Sequence, residues 1–570
     1  MSTAAHQPSI TEVEVSNSDR MRSCGPPDRS AYFATMSNIS TILQPVRRPR
    51  RVDTAGAGRF LAAVVLVLAA LSFSACGGES TSKGSDLLRT ALTADPAPLD
   101  PDTYYEAEGL AITTSVYEGL LRYENDSSKI IGSLAESWEV TDGARTFTFK
   151  LLDGVKFSDG TAFDSAAAKG SFQRRIDLEG GPSYMLADVK SMTTPDPLTF
   201  VVQLRKPSQV FLDYLASPYG PLMTSPTAVK EHTVGDDHAS KWFGSHSAGT
   251  GPYQLGTVKR GSLYQLTANP HYHGSKPHFK TVNFNVVPSV ETQRLQVQGG
   301  QQDLVLQRLP YRDLVSLKEE GKVQVLPIKT LFKAGLWVNP KSPVFGPADV
   351  RAALRAYLDN ETITKELYGD FGTTSTDVYP AGMLPEGAAP DVPEHDPDQL
   401  APALAPYKGR KVTVGYYTSL SQNRELASRL QTQLESLGLK ATVREYPPSI
   451  LFSLPEEPNQ RPDILATAFN PDAVAPDTFA RIYWYKDAPV NLLGCTDPEG
   501  DRLLDEAASA TTQEAGLKAN VAAAEAYRKS NCWLNIADAN DVYVARKGLT
   551  GFEKELAWTL AVRLGALKED

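Results

Sequence analysis

At 570 residues the chain is too long for one small hydrophobic core and calls for two or three domains. Its formal charge is −10, and residues 1–60 hold eight Arg against five Asp and Glu, which leaves the remainder close to −13. An acidic body argues against a nucleic-acid backbone as partner, because phosphate binding needs clustered Lys and Arg.

Residues 1–46 carry no periodicity and no apolar run. Arg47, Arg48, Arg50 and Arg51 then form a basic cluster, and 60–75 (FLAAVVLVLAALSFSA) is continuously apolar. That run is shorter than the roughly 20 residues a spanning helix needs. A basic region, a short apolar region and small residues before a break read as a secretory signal. The break, Ser74-Ala75-Cys76-Gly77, resembles a bacterial lipobox with Phe73 in place of the usual Leu, so Cys76 is expected to be acylated as the first mature residue. The long stretch ahead of the basic cluster points to a translation start downstream of Met1, at Met36 or near Val46 or Val52. Residues 1–76 are thus read as an over-long start plus signal peptide, and 77–86 as a tether. With Cys24 in the leader and Cys76 acylated, Cys495 and Cys532 remain, and an even pair in an exported protein reads as a disulfide.

The body begins with a predicted strand at 87–93, followed by a Pro-rich path through Asp100-Pro101. A helix is predicted over 106–117. Within 134–177, Asp142-Gly143 signals a turn between two alternating runs, with Phe147, Phe149 and Leu151 on one strand face. Asp159-Gly160 is a second turn, and Asp164 is an N-cap candidate for a helix reaching Arg175. Strands are predicted at 198–204, 279–287 and 322–328, and a helix at 290–299. Val350, Ala353, Leu354, Tyr357 and Leu358 repeat at helical spacing. Residues 412–416, 423–437 and 441–446 read as a β-α-β unit with Gly438 as helix stop, which implies a parallel strand pair. Residues 385–406 read as a surface loop, 462–469 (PDILATAF) as a third strand, 513–529 as a helix, and 533–536 and 542–545 as two final strands.

Several stretches carry distinctive wording. LAESWEVTDG…FKLLDGVKFSDGTAFDSA (134–166), VYEGLLRY (116–123), GTGPY (249–253), NPHYHGSKP (269–277), LWVNP (336–340) and DPEGDRLLDEA (497–507) together resemble the peptide/nickel-type solute-binding proteins of ABC importers, family 5. His273 departs from that pattern, standing where Trp is usual. The resemblance implies an α/β, two-lobed periplasmic-binding-protein-like (type II) fold with an extra subdomain inserted in the first lobe. In that layout residues 87–123, 249–335 and 531–570 build lobe I, 124–248 the subdomain and 336–530 lobe II, with crossings near Leu336 and Asn531. It further implies a monomeric, non-enzymatic binding protein without cofactor. Lipid-anchored outside the cytoplasmic membrane, it would capture a short peptide between its lobes and deliver it to a permease. A metal chelate, opine or glycoside, or a peptide signal, is the alternative ligand. A secreted hydrolase is the competing enzyme reading, but HExxH, G-x-S-x-G and P-loop patterns are absent from the sequence.

Ligands of open α/β sheets bind beyond strand carboxyl ends. The strand ending at Phe469 runs into Asn470-Pro471-Asp472. By resemblance, Phe469 falls on an aromatic position at the strand end and Asp472 on the carboxylate that pairs with a peptide's ammonium. Tyr105, Glu106, Ala107 and Glu108 fall on positions beside the peptide backbone. The bland alternative is that Asp472 and Asp477 are turn-forming residues, and that Trp484 and Tyr485 belong to the core.

Overall fold

The computed structural model describes residues 86–570 apart from 393 and 419; Cys76, the leader and nearly all of the tether lie outside the described residues. Lobe I is built on a four-stranded sheet in the order Leu87–Leu92, Thr281–Val286, Leu263–Ala268, Tyr253–Lys259. The first pair is parallel and the others antiparallel. Leu88, Tyr264, Leu266, Val282 and Phe284 point to one buried face, as period-2 alternation requires. The chain re-enters this lobe at Gly249 and Gly251, where a Cβ would collide with the Val116 carbonyl.

The inserted subdomain is an antiparallel sheet, Ala135–Thr141, Thr146–Leu151, Thr199–Leu204, Val189–Asp196. Phe147, Phe149 and Leu151 are buried. Asp164 caps the helix Ser165–Leu178 through Oδ1, which accepts the Ala167 N–H at 2.9 Å. Residues 226–248, expected in the subdomain, pack instead in lobe I: Ala228, Phe243 and Ala248 share a core with Leu88 and Phe284. The helix expected over 106–117 forms only as Leu110–Val116. Glu106 and Glu108 explain the difference, because their carboxylates accept backbone N–H groups of Ala97 and of Thr93 and Ala94, pinning 106–108 to a neighbouring loop.

Lobe II continues a seven-stranded sheet whose spine is two long antiparallel strands, Val323–Val338 and Trp533–Arg546. Ile464–Phe469, Lys411–Tyr417 and Lys440–Tyr446 extend it, the last three running parallel with helix Ser421–Ser436 across them. The spine strands pass between lobes inside their own length. Leu326, Ile328 and Tyr543 pack in lobe I, whereas Phe332, Leu336, Leu534 and Ala539 pack in lobe II. The crossings therefore lie around residues 329–331 and 540, not at Leu336 and Asn531, and the two final strands expected separately are one. Polar residues hide this continuity from a hydrophobic pattern. Each is paired inside: Lys333 Nζ lies 2.8 Å from Asp538 Oδ1, and Asp541 accepts from Arg308 and Lys554, each at 2.8 Å.

Two covalent or ionic ties brace the assembly. Cys495 and Cys532 are disulfide-bonded, with Cα atoms 6.3 Å apart. Asp100 and Asp102, both fully buried, meet Arg174 and Arg175 of the subdomain helix: Arg174 Nη2–Asp100 Oδ2 is 2.8 Å and Arg175 Nε–Asp102 Oδ1 is 2.9 Å. Removing one member of such a cluster strands its partners in low dielectric. Arg174→Met is expected to cost about 3–5 kcal/mol in urea unfolding; a loss below about 1 kcal/mol would show that the carboxylates find water. Reducing the disulfide should cost roughly 3–4 kcal/mol by the same measurement, from the loop of 37 residues it closes.

Candidate functional site

The all-buried strand Ile464–Phe469 delivers Asn470 to Asp472 into the space between lobe II, the subdomain and the 105–108 segment. Pro471 ends the strand, and residues 472–475 bend before Pro476 opens the helix Pro476–Tyr483. Asp472 is 8% exposed. Its Oδ2 accepts hydrogen bonds from the Tyr105 hydroxyl and, at 2.6 Å, from the Tyr184 hydroxyl. Its backbone carbonyl accepts from Ser217 Oγ at 2.6 Å. Two residues on, the Val474 N–H donates to the Tyr123 hydroxyl at 3.0 Å, and that hydroxyl donates to Asp213 Oδ1 at 2.7 Å. The 470–474 loop is thus gripped from the opposite side of the cleft.

Burial pushes the Asp472 carboxyl up to about 6; the two tyrosine hydroxyls work against that rise. Burial also pushes Asp213 up to about 6. Phe469 lies in an aromatic layer, its ring centroid 4.8 Å from Tyr483 and 5.3 Å from Trp337. Asn470 Oδ1 accepts from Arg308 Nη2 at 3.3 Å, and its carbonyl accepts from Tyr483.

The four residues 105–108 divide. Tyr105 reaches Asp472, while Glu106 and Glu108 turn their carboxylates onto lobe I itself and the Ala107 carbonyl accepts the Leu110 N–H. Asp477 is a structural residue, held by Arg481 Nε at 2.9 Å. Trp484 is core, packed between Tyr379 and Trp533. Tyr184, Tyr123, Ser217 and Arg308 are additions from the structure; nothing in their local sequence marks them, since they lie far along the chain from the loop they touch. His273 forms a pair with Glu118 at 3.0 Å, which holds the imidazole above its usual range. Among the described residues no cluster of three or more His, Cys, Asp or Glu is placed to hold a metal ion, and no helix is long and apolar enough to cross a membrane.

The profile of the bacterial extracellular solute-binding proteins, family 5 (middle region), matches residues 129–491. The chain belongs to this family. Its members are the solute-binding proteins of ABC importers and are not enzymes. A probable D,D-dipeptide-binding periplasmic protein, DdpA of Escherichia coli K12, is 28% identical over 438 residues, covering 75% of this chain and 84% of the relative. Among solved structures, DppA from Helicobacter pylori in complex with the peptide STSA superposes with TM-score 0.72 at 19% identity, over 85% of this chain and 98% of that one. NikZ from Campylobacter jejuni in complex with Ni(L-His) gives 0.73 at 19% identity, over 85% and 100%. The architecture of this family 5 protein is therefore the two-lobed, type II periplasmic-binding fold.

The buried carboxyl has a pH consequence. Its folded-state value lies above the roughly 3.9 of an unfolded Asp, so ionisation opposes the folded, lobe-to-lobe arrangement. The penalty is absent below about pH 4 and grows as pH rises through about 6. In protein without added ligand, Asp472→Asn is therefore expected to melt on the order of 2 °C above the native chain at pH 7.5 and to match it at pH 4. Calorimetric scans at the two pH values check this; a constant offset contradicts it.

Proposed function

We propose that this family 5 protein captures a short peptide between its lobes, with Asp472 holding the peptide's cationic amino end, and passes it to a membrane permease as a monomer. Acylated Cys76 would keep it at the outer face of the cytoplasmic membrane. One observation carries the ligand reading: a carboxylate buried in the interlobe space, facing hydroxyl groups rather than a protein cation. A buried carboxylate without a cationic partner is costly, and an ammonium group relieves that cost through a charge-assisted bond contributing about 1.5–3 kcal/mol. Tyr105 and Tyr184 can turn their hydroxyl oxygens toward the same ammonium. Phe469 and Tyr483 supply the apolar wall behind it. The lobes close on ligand by hinge motion, at the mid-strand crossings.

Asp472→Asn keeps the shape and removes the charge. Peptide binding should weaken by about 2–4 kcal/mol by titration calorimetry. N-acetylation of the peptide should cost the native protein a similar amount and the variant little more, the signature of one shared interaction. Equal binding of acetylated and free peptides would redirect the reading to an uncharged solute or chelate. For the anchor, Cys76→Ala should release the protein from the membrane fraction or leave it unprocessed, and an intact mass without acyl addition would refute acylation.

A further inference from the structure

The molecule fastens its parts in two chemically different ways. The subdomain helix is tied to lobe I by Arg174 and Arg175 on Asp100 and Asp102, where each carboxylate has a cation. The fastenings at Asp472 and Val474 of lobe II use hydroxyl groups instead. Tyr105 of lobe I and Tyr184 of the subdomain donate to Asp472 Oδ2. Ser217 Oγ donates to the Asp472 carbonyl; the Val474 N–H donates to the Tyr123 hydroxyl, and that hydroxyl donates to Asp213 Oδ1. Phe211 and Leu215, on either side of Asp213, share one apolar core with Val474 and Phe479, so lobe II packs over the short helix Phe211–Ala216 that carries this second carboxyl.

Such contacts suit a neutral carboxyl. With the proton on Oδ1, Oδ2 of Asp472 goes on accepting from both tyrosines. An ionised carboxylate in the same place is buried against hydroxyls, whereas in an opened cleft water solvates it. The surroundings supply no compensating cation. Besides Tyr105 and Tyr184, Asp472 faces Tyr214, Tyr219 and Tyr483, whose hydroxyls burial pushes up and keeps neutral. Glu106, the carboxylate nearest Tyr219, is engaged by the Ala97 N–H. Asp213 faces Tyr123, Tyr214 and Asp477, and Asp477 holds Arg481 as its own partner. Beyond Tyr123, Glu555 is paired with Arg563 at 2.6 Å.

We propose that the 470–474 loop is a proton-controlled latch: while Asp472 and Asp213 are protonated it holds the empty lobes shut, and their ionisation lets the lobes part. The empty protein then stands open to solute near neutral pH and shuts itself in acid. With both carboxyls pushed up to about 6 against roughly 3.9 in water, each ionisation shifts the closed-to-open ratio about 100-fold. Two such groups give about 10⁴-fold, the factor that carries a two-state equilibrium from one side to the other. Closure is therefore fully favoured below about pH 4 and lost as pH rises through about 6.

Small-angle scattering on the protein without added ligand, stepped from about pH 4 to about pH 8, reads the separation of the lobes. The radius of gyration should rise between about pH 4 and about pH 6 and change little above. The double variant Asp472→Asn, Asp213→Asn keeps the shape of both side chains and should stay compact at pH 8. Tyr184→Phe removes one donor and leaves both carboxyls; a lost hydrogen bond of about 1 kcal/mol is about 5-fold in the ratio, which moves the midpoint about 0.4 of a pH unit lower. A native radius constant across the range overturns the latch, and so does an opening that persists unchanged in the double variant. If the double variant does not fold, the native titration and Tyr184→Phe decide, and a midpoint that stays or rises in Tyr184→Phe overturns the proposal. The latch concerns the empty protein and stands or falls apart from the peptide reading, which free and acetylated peptides test at a single pH.

Discussion

Everything in this molecule hangs on the pairing of two long antiparallel strands, Val323–Val338 and Trp533–Arg546. Each strand runs in one piece from the core of lobe I to that of lobe II, so a two-stranded ladder joins the lobes. Irregular register between Ile328 and Phe332 marks where the ladder loosens. A bulge of this kind bends and twists a strand locally, which makes this the natural place for the lobes to pivot. The loop 470–474 leaves the very next strand, and Asn470 contacts Arg308 near this irregularity.

Buried charge is handled in two ways. Asp100 and Asp102 with Arg174 and Arg175 are fully matched, with no group left over. They weld the subdomain helix to the first lobe and need nothing from outside. Asp472 is treated differently: among the described residues its carboxylate meets only hydroxyl donors. That is the arrangement expected where a ligand supplies the missing partner, and it explains why the same Asp472→Asn change should stabilise the protein at neutral pH and weaken its binding.

The subdomain takes part in the site. Tyr184 and Ser217 reach the 470–474 loop from it, and its apolar core is continuous with lobe II residues such as Tyr379 and Phe479. The subdomain is thus tied to both lobes, by the buried charge cluster to lobe I and by a shared apolar core to lobe II.

Much of this was legible in the chain itself. Period-2 alternation at Phe147, Phe149 and Leu151, the Asp164 cap, and the leucine stripe of the helix before Gly438 are local signals, decided by side-chain geometry within a few residues. The family wording added the lobes, and the place of Asp472 after a buried strand singled it out. Other features needed the tertiary structure. The spine strands looked like fragments because Lys333, Asp538 and Asp541 interrupt the apolar pattern; only their partners across the fold make them tolerable inside. The 106–117 helix was shortened by carboxylates that found backbone donors in a separate loop. Tyr105, Tyr184 and Ser217 meet Asp472 across 367, 288 and 255 positions of chain. Local propensity carries no information about contacts at such separation, so the sequence by itself named the carboxylate, and the tertiary structure alone decided what surrounds it.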